Sequence, residues 1–232
     1  MTTIWSDVRQ RVEALARDER ARDVFGAWRM NGEPGHTFRL APPLRDDQVE
    51  AAEAQLGISL PGEYRDFLLQ VSAGGAGPHY GLNTLVDGPE GWRWAGDEGR
   101  TYLGRLKLPC PPADESIRLQ EELARREPDL AAYPDTGAYQ DAWRAWQAEE
   151  QAVDEQILQG AVYLSHQGCG SMDWLVVTGP DRGHMWTDDR AADLPFAPMG
   201  TPEKPVGFAD WYLGWLERTE TWVARQSKAD GR

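Results

Sequence analysis

His166 and Cys169 are the residues whose types and spacing come closest to supporting covalent catalysis. A thiol three positions from an imidazole can be activated as a nucleophile. The flanking Gly168 and Gly170 predict a turn after a strand, which would suit an exposed thiol. The sequence shows no third group that would orient the imidazole. We therefore favour the other reading, in which Cys169 is a small packed residue of a tight loop, and predict that the protein is not an enzyme.

Other chemistries that need clustered side chains find little support in the sequence. The four histidines and two cysteines lack the close paired spacing of zinc ligands. The glycine-rich run 74–78 is not followed by the Lys-Ser/Thr pair of a phosphate-binding loop. Adjacent carboxylates such as Asp188 and Asp189 point apart on a strand or helix, so they are poor acid–base pairs. We predict no metal site and no cofactor.

The charge balance bears on the kind of partner. The chain has 24 basic and 38 acidic residues, a net charge of −14. Nucleic-acid binding depends on Lys and Arg that neutralise phosphates, so we expect no direct nucleic-acid contact. Residues 113–159, termed the acidic insertion below, have twelve acidic and four basic residues and so carry −8 of the −14. Such charge favours encounter with a basic protein partner, although it can also serve solubility alone.

Targeting signals and membrane spans are also not evident. The opening residues lack the basic stretch and apolar core of a secretory signal, and no apolar run approaches the ~18 residues of a transmembrane helix. Two cysteines in a chain of 232 residues fit a reduced compartment. We expect a cytoplasmic protein that does not bind membranes.

Residues 47–75 predict two short amphipathic helices that meet at Leu60-Pro61. Asp47 and Glu50 have the spacing of a capping box at the start of the first helix, and Gly57 can end it with positive φ. The second helix has one apolar face with i, i+3, i+4, i+7 spacing, formed by Tyr64, Phe67, Leu68 and Val71.

Further elements follow from periodicity and turn residues. We expect helices over residues 4–17 and from Phe208 onward, and two helices in the acidic insertion that are broken at 134–137. The run 172–178 is apolar on both faces, which is typical of a central strand. The other expected strands are 80–86, 92–94, 103–108, 161–165 and 184–187.

The order of helix pair, glycine loop, strand, glycine-bearing loop, central strand and hairpin resembles the SUKH superfamily. Two groups of residues carry the resemblance. The first is Glu53, Leu56-Gly57, Leu60-Pro61, Tyr64, Phe67-Leu68 and Gly74-Gly75, and the second is Gly168-Cys169-Gly170, Trp174-Leu175-Val176-Val177, Gly179, Gly183 and Trp186. The resemblance implies an α+β fold, a twisted, largely antiparallel sheet packed with helices. It also implies a non-enzymatic role in binding proteins.

The same resemblance suggests how the chain is organised. We expect an N-terminal helical extension over residues 1–40 and a SUKH (Smi/Knr-like) domain over 41–225, with the acidic helical insertion at about 113–159 inside that domain.

Two functions are implied by the resemblance. Bacterial members neutralise a toxin domain, often a nuclease, which makes an immunity protein the first hypothesis. Fungal members suggest the second, an intracellular regulator or scaffold of cell-envelope processes. Because tryptophans are enriched at binding hot spots and carboxylates can fill a basic cleft, the candidate partner-binding residues are Trp143, Trp146, Glu149, Glu150, Asp154 and Glu155, with a second patch at Asp97 and Glu98. Whether Trp143 and Trp146 instead dock the inserted helix stays open.

Overall fold

The computed structural model describes residues 4–30 and 33–229. The predicted extension over 1–40 therefore lies partly outside the described residues, and the domain division stays a prediction. The described helices are α1 Val8–Arg17, α2 Asp46–Leu56, α3 Gly62–Gln70, α4 Ala113–Ala124, α5 Thr136–Ile157 and α6 Phe208–Ala229. The strands are β1 Arg29–Met30, β2 Glu33–Pro34, β3 Thr84–Gly88, β4 Gly91–Ala95, β5 Ala161–Gly168, β6 Ser171–Val176, β7 Met185–Asp188, β8 Ala197–Pro198, β9 Gly200–Thr201 and β10 Lys204–Pro205.

The α2–α3 corner forms as its sequence predicts. Gly57 ends α2 in the left-handed region at φ +69°, where a residue with a side chain would be strained. The Glu53 carboxylate accepts a hydrogen bond from the Leu60 N–H at 2.7 Å, which fixes the path of the chain between the helices. Tyr64 and Phe67 on α3 are fully buried. Local signals and burial therefore agree at this corner.

A four-stranded sheet in the order β5-β6-β7-β8 lies at the centre of the fold. All strand pairs among the described residues are antiparallel. Single antiparallel bridges from Ser165 to Leu82, from Leu82 to Gly75 and from Gly75 to Leu40 continue it beyond β5. The β3–β4 hairpin follows directly after Leu82. The α+β class with a largely antiparallel sheet is confirmed.

The main hydrophobic core lies on one face of this sheet. Val162 and Leu175 point from the sheet into a cluster formed with α1, α2, α3 and α6. Trp5, just before α1, is 2% exposed and meets the Phe67 ring edge-on at 5.4 Å. The N-terminal helix is thus part of the main core.

A second core lies on the opposite face of the sheet. Successive side chains of a strand alternate between faces, so Tyr163 and Trp174 point away from the main core and pack with Ile157 of α5. The Gln120 side chain on α4 accepts from the Phe196 N–H at 2.8 Å and donates to the Phe196 carbonyl at 3.2 Å. The acidic insertion therefore covers the second face, which explains why β6 has apolar side chains on that face as well, Trp174 and Val176.

Three local predictions were wrong. Residues 103–108 are not a strand: Leu103–Arg105 is a 3-10 turn, and the Arg105 and Leu108 N–H groups bond to carbonyls three residues back. The strand expected from residue 80 begins only at Thr84. The α2 cap uses Gln48, whose side chain accepts from the Arg45 N–H at 3.0 Å, rather than Asp47 with Glu50.

Candidate functional site

Aromatic side chains form a continuous row along α5. Tyr139, Trp143 and Trp146 are spaced i, i+4, i+7, so they share one face, with ring centroids 6.0 Å and 5.2 Å apart. The Trp146 indole donates a hydrogen bond to the Leu123 carbonyl at 3.1 Å and so ties α5 to α4. Trp143 is half-buried and lines a shallow surface cleft of about 290 Å³ with Tyr139. Trp146 thus has a docking contact, whereas Trp143 lies at an open surface.

Most of the acidic candidates on α5 have arginine partners within the chain. Two of these arginines lie outside the acidic insertion, so the charge count of that segment alone overstates its local negative charge. Glu150 makes no ion pair with any described residue, and burial raises its pKa above the ordinary value. The ion pairs are Glu149 with Arg126 at 2.7 Å, Glu155 with Arg105 at 2.6 Å, and Asp154 with Arg190.

Arg190 joins α5 to the end of β7. Its guanidinium donates two parallel hydrogen bonds to the Asp188 carboxylate, both at 2.8 Å, and a third to Asp154. Asp188 is only 2% exposed, so this carboxylate depends on Arg190 for its solvation. Burial raises the pKa of Asp154, and Arg190 opposes that shift. Asp154 therefore has a structural role in holding the insertion against the sheet.

Asp97 and Glu98 lie in the turn after β4. The Asp97 carboxylate is 8% exposed and accepts from the Gly99 N–H at 2.9 Å, as in a local turn. Glu98 is exposed, 3.9 Å from Arg100. Both line a cleft of about 640 Å³ that includes no residue of α5. The structure therefore does not bring this patch together with the α5 candidates in one cleft.

The His166–Cys169 pair is arranged differently from the packed loop we expected. Cys169 is exposed at φ +51° in the β5–β6 turn, so the prediction that it is packed was wrong. The His166 Nδ1 accepts from the Gly168 N–H at 3.0 Å, which occupies this nitrogen with its own backbone. Cys110 is the buried thiol, and burial raises its pKa to about 12.

A larger cleft lies between one end of the sheet and α6. It has a volume of about 680 Å³, and we term it the sheet–helix cleft. Its walls come from β5, β6 and β7, from α6, from the loop at 78–79 and from the 3-10 turn after α1. Four aromatic side chains line it: Phe25, Trp211, Trp215 and Trp222. The polar lining residues are Asp23, His79, Gln167, Asp173, Thr187, Asp189, Arg218 and Thr219.

Asp173 is the central polar group of the sheet–helix cleft. Its side chain is fully buried, and Oδ1 accepts from the Gln167 amide at 2.6 Å. Among the described residues, Oδ2 has no hydrogen bond of normal geometry, and the His79 Nε2 lies 3.4 Å from it. Burial raises the pKa of Asp173 to about 7 and Asp189 adds to the shift, whereas interactions with the Gln167 and Trp211 side chains oppose it. Burial also lowers the pKa of His79, so the imidazole is neutral at pH 7.

Comparison with protein-family models gives one match. Residues 43–116 match the SMI1 / KNR4 family (SUKH-1). This SUKH-1 segment is somewhat under a third of the chain, and over it the resemblance stated from the sequence is confirmed. It starts just before α2 and stops within α4, where the acidic insertion begins. Comparisons with curated proteins and with solved structures found no match.

The second group of resembling residues, within 161–190, lies outside the SUKH-1 segment. It forms the central strands β5, β6 and β7, which continue through bridges to Gly75 and Leu82 of that segment. The sheet–helix cleft also draws mainly on later residues, since Pro78 and His79 are its lining residues from the SUKH-1 segment. No helix among the described residues combines the length and apolarity needed to cross a membrane.

The sequence reasoning missed the sheet–helix cleft, although a signal for it exists. Asp173 is the one charged residue in the run 172–177, and its position places it on the same strand face as Leu175 and Val177, which point into the main core. A carboxylate on a core-facing position needs a polar partner or a ligand. Trp211 and Trp215 are largely buried, 7% and 6% exposed, and they also line the cleft.

Proposed function

We propose that the protein is a non-enzymatic protein-binding module of the cytoplasm, and that it acts as an immunity protein against a cognate toxin domain, such as a nuclease. The observation that carries the proposal is the SUKH-1 match over residues 43–116, which points to toxin immunity or cell-wall regulation. The net charge of −14 supports immunity against a basic partner, because nuclease domains need positive charge to hold phosphates.

The α5 surface is the first place where we expect the partner to bind. Trp143 offers a half-buried aromatic ring, and Glu150 offers a carboxylate with no ion pair among the described residues. The other acidic candidates already pair with arginines, so they contribute less to long-range attraction. We therefore expect Trp143 and Glu150 to matter more for affinity than Glu149, Asp154 or Glu155.

The proposal is tested by capturing the partner and then measuring how the captured domain affects cell growth. The tagged chain is used to isolate its partner from the producing cell, and the captured domain is then expressed alone and together with this chain. Immunity predicts that the domain alone arrests growth and that co-expression restores it. A partner that is harmless when expressed alone, and that belongs to the machinery of the cell envelope, would instead support the regulator or scaffold hypothesis.

A variant series locates the binding surface within the same assay. Trp143→Ala and Glu150→Gln are expected to weaken binding of the captured domain, whereas Asp114→Asn, on the α4 side of the insertion, serves as the matched surface control. If Trp143→Ala and Glu150→Gln bind as well as the unmodified protein while rescue is intact, the immunity proposal stands and the α5 surface is excluded.

A further inference from the structure

The sheet–helix cleft has more negative than positive charge among its lining residues. Asp23, Asp173 and Asp189 line it together with Arg218, and the half-buried His79 is neutral at pH 7. The charged group that acts on Asp173 most directly is Asp189, which carries the same sign. A cation would be attracted to this cleft, and an anion would be repelled.

Asp173 supplies the specific attraction. Asp173 lines the cleft, and its buried Oδ2 has no hydrogen bond of normal geometry among the described residues, although the Trp211 side chain interacts weakly with the carboxylate and favours its charged form. Burying a carboxylate without a compensating partner is unfavourable, and a charged donor placed against Oδ2 would remove that penalty. The neutral His79 imidazole at 3.4 Å does not supply the missing charge. The oxygen is therefore poised to accept from a ligand.

The remaining lining favours an organic cation over a metal ion. No group of three or more His, Cys, Asp or Glu side chains suited to a metal ion occurs in the described part of the chain. Trp211, Trp215 and Trp222 instead present indole rings, whose faces attract ammonium and guanidinium groups and pack against alkyl chains. A cleft of about 680 Å³ lies within the ~300–1,000 Å³ range of ligand sites.

We propose that the sheet–helix cleft binds the cationic side chain of a lysine or arginine presented by a protein partner. The charged head pairs with Asp173, and the alkyl stem packs against the tryptophans of α6. Charge complementarity between the cleft and a basic side chain is the argument for this occupant. The inference rests on the proposed function in one respect, that a protein partner supplies the cation. It adds the residue type that this partner must present, a lysine or an arginine.

Small probes test the cleft directly on the full chain. Nα-acetyl-lysine methylamide and Nα-acetyl-arginine methylamide are titrated while the tryptophan indole N–H signals are followed by ¹H–¹⁵N NMR. We expect saturable shifts of the Trp211, Trp215 and Trp222 signals. Nα-acetyl-norleucine methylamide, which has a similar stem and no charge, is expected to bind about ten-fold more weakly or worse. Equal binding of the norleucine probe would overturn the proposal.

Two variants separate the role of Asp173 from general effects on folding. Asp173→Asn should lower the affinity for the lysine probe about ten-fold or more, since it removes a charged hydrogen bond. Asp193→Asn, the same change at an exposed site outside the cleft, should leave the affinity for the lysine probe unaltered. If Asp173→Asn does not fold, Trp222→Ala at a half-buried position is expected to cost roughly two- to five-fold in affinity through the lost packing against the alkyl stem. An unchanged affinity in every folded cleft variant would refute the site.

Binding should also depend on pH. Asp173 must be ionised to pair with the cation, and its pKa of about 7 means that affinity rises between pH 6 and pH 8. The other charged or titratable groups facing the cleft are Asp23, His79, Asp189 and Arg218. Bound probe should lower the pKa of the Asp173 carboxyl, measured by its ¹³C signal. A carboxyl pKa that the probe leaves unchanged would contradict the pairing.

Two outcomes test the identity of the ligand in the cleft separately from the proposed immunity function. If spermidine binds the cleft at least ten-fold more tightly than both amino-acid probes, a free polyamine is the occupant and the proposal is overturned. If the probes fail while the partner captured from the cell still binds and is neutralised, the cleft inference falls and the proposed function stands.

Discussion

Replacing Arg190 with methionine tests whether the Asp188–Arg190–Asp154 network holds the acidic insertion against the sheet. The substitution removes two 2.8 Å hydrogen bonds to Asp188 and leaves a carboxylate that is 2% exposed without its counter-ion. Loss of one partner of a buried ion pair costs about 3–5 kcal/mol. For a domain of this size, each kcal/mol lowers the melting temperature by about 2–4 °C. We therefore expect a decrease of about 6–20 °C.

The free energy is measured by urea unfolding and the melting temperature by thermal unfolding, both followed by near-ultraviolet circular dichroism, to which Trp174 and Trp186 beneath the insertion contribute. Arg118→Met is the matched control, because Arg118 makes an exposed pair with Glu122 at 2.9 Å. Such a pair contributes about 0.3–0.5 kcal/mol. Adding Asp188→Asn to Arg190→Met should recover part of the loss, since the buried charge is then gone. A cost of less than about 1 kcal/mol for Arg190→Met would refute the role assigned to this network.

Three further predictions address the helix corner, the thiols and the buried carboxylate. Gly57→Ala should lower the free energy of unfolding in urea by about 1–2 kcal/mol, because the φ of Gly57 is +69°. The control Gly62→Ala should be neutral or slightly stabilising, because position 62 has open space and no positive φ. Equal effects of the two substitutions would refute the strain argument. In the native protein a thiol reagent should modify the exposed Cys169, and Cys110 should react only after unfolding; two native equivalents would contradict its burial. Ionisation of Asp173 disfavours the folded state, since its folded pKa of about 7 exceeds its unfolded value, so this group lowers stability as the pH rises from about 4 to about 7. Asp173→Asn should flatten that pH dependence of the unfolding free energy, and an unchanged slope would show that the carboxyl is not the cause.

The outcome at α5 shows why charge counting along a sequence overestimates a binding surface. The acidic insertion has few basic residues of its own, yet Glu155 pairs with Arg105 and Asp154 with Arg190. These partners are 50 and 36 residues away along the chain. Periodicity places the acidic side chains on a helix, but it gives no information about contacts between segments that are distant in the sequence. The sequence leaves the role of Trp146 open for the same reason, since its hydrogen bond to the Leu123 carbonyl forms only when α4 and α5 pack together.

Amino-acid order alone determined the features that arise within a few residues of each other. These are the α2–α3 corner with its glycine stop at Gly57, the two helices of the acidic insertion, and a β6 strand apolar on both faces. Short-range sterics, capping and periodic burial are sufficient to specify such elements. Tertiary structure alone decided which faces meet: it placed the insertion over the second face of the sheet, gave the α5 carboxylates their arginines, and set Asp173 in a cleft beneath the tryptophans of α6. Those relations depend on the three-dimensional path of segments far apart in sequence, and local preferences do not encode that path.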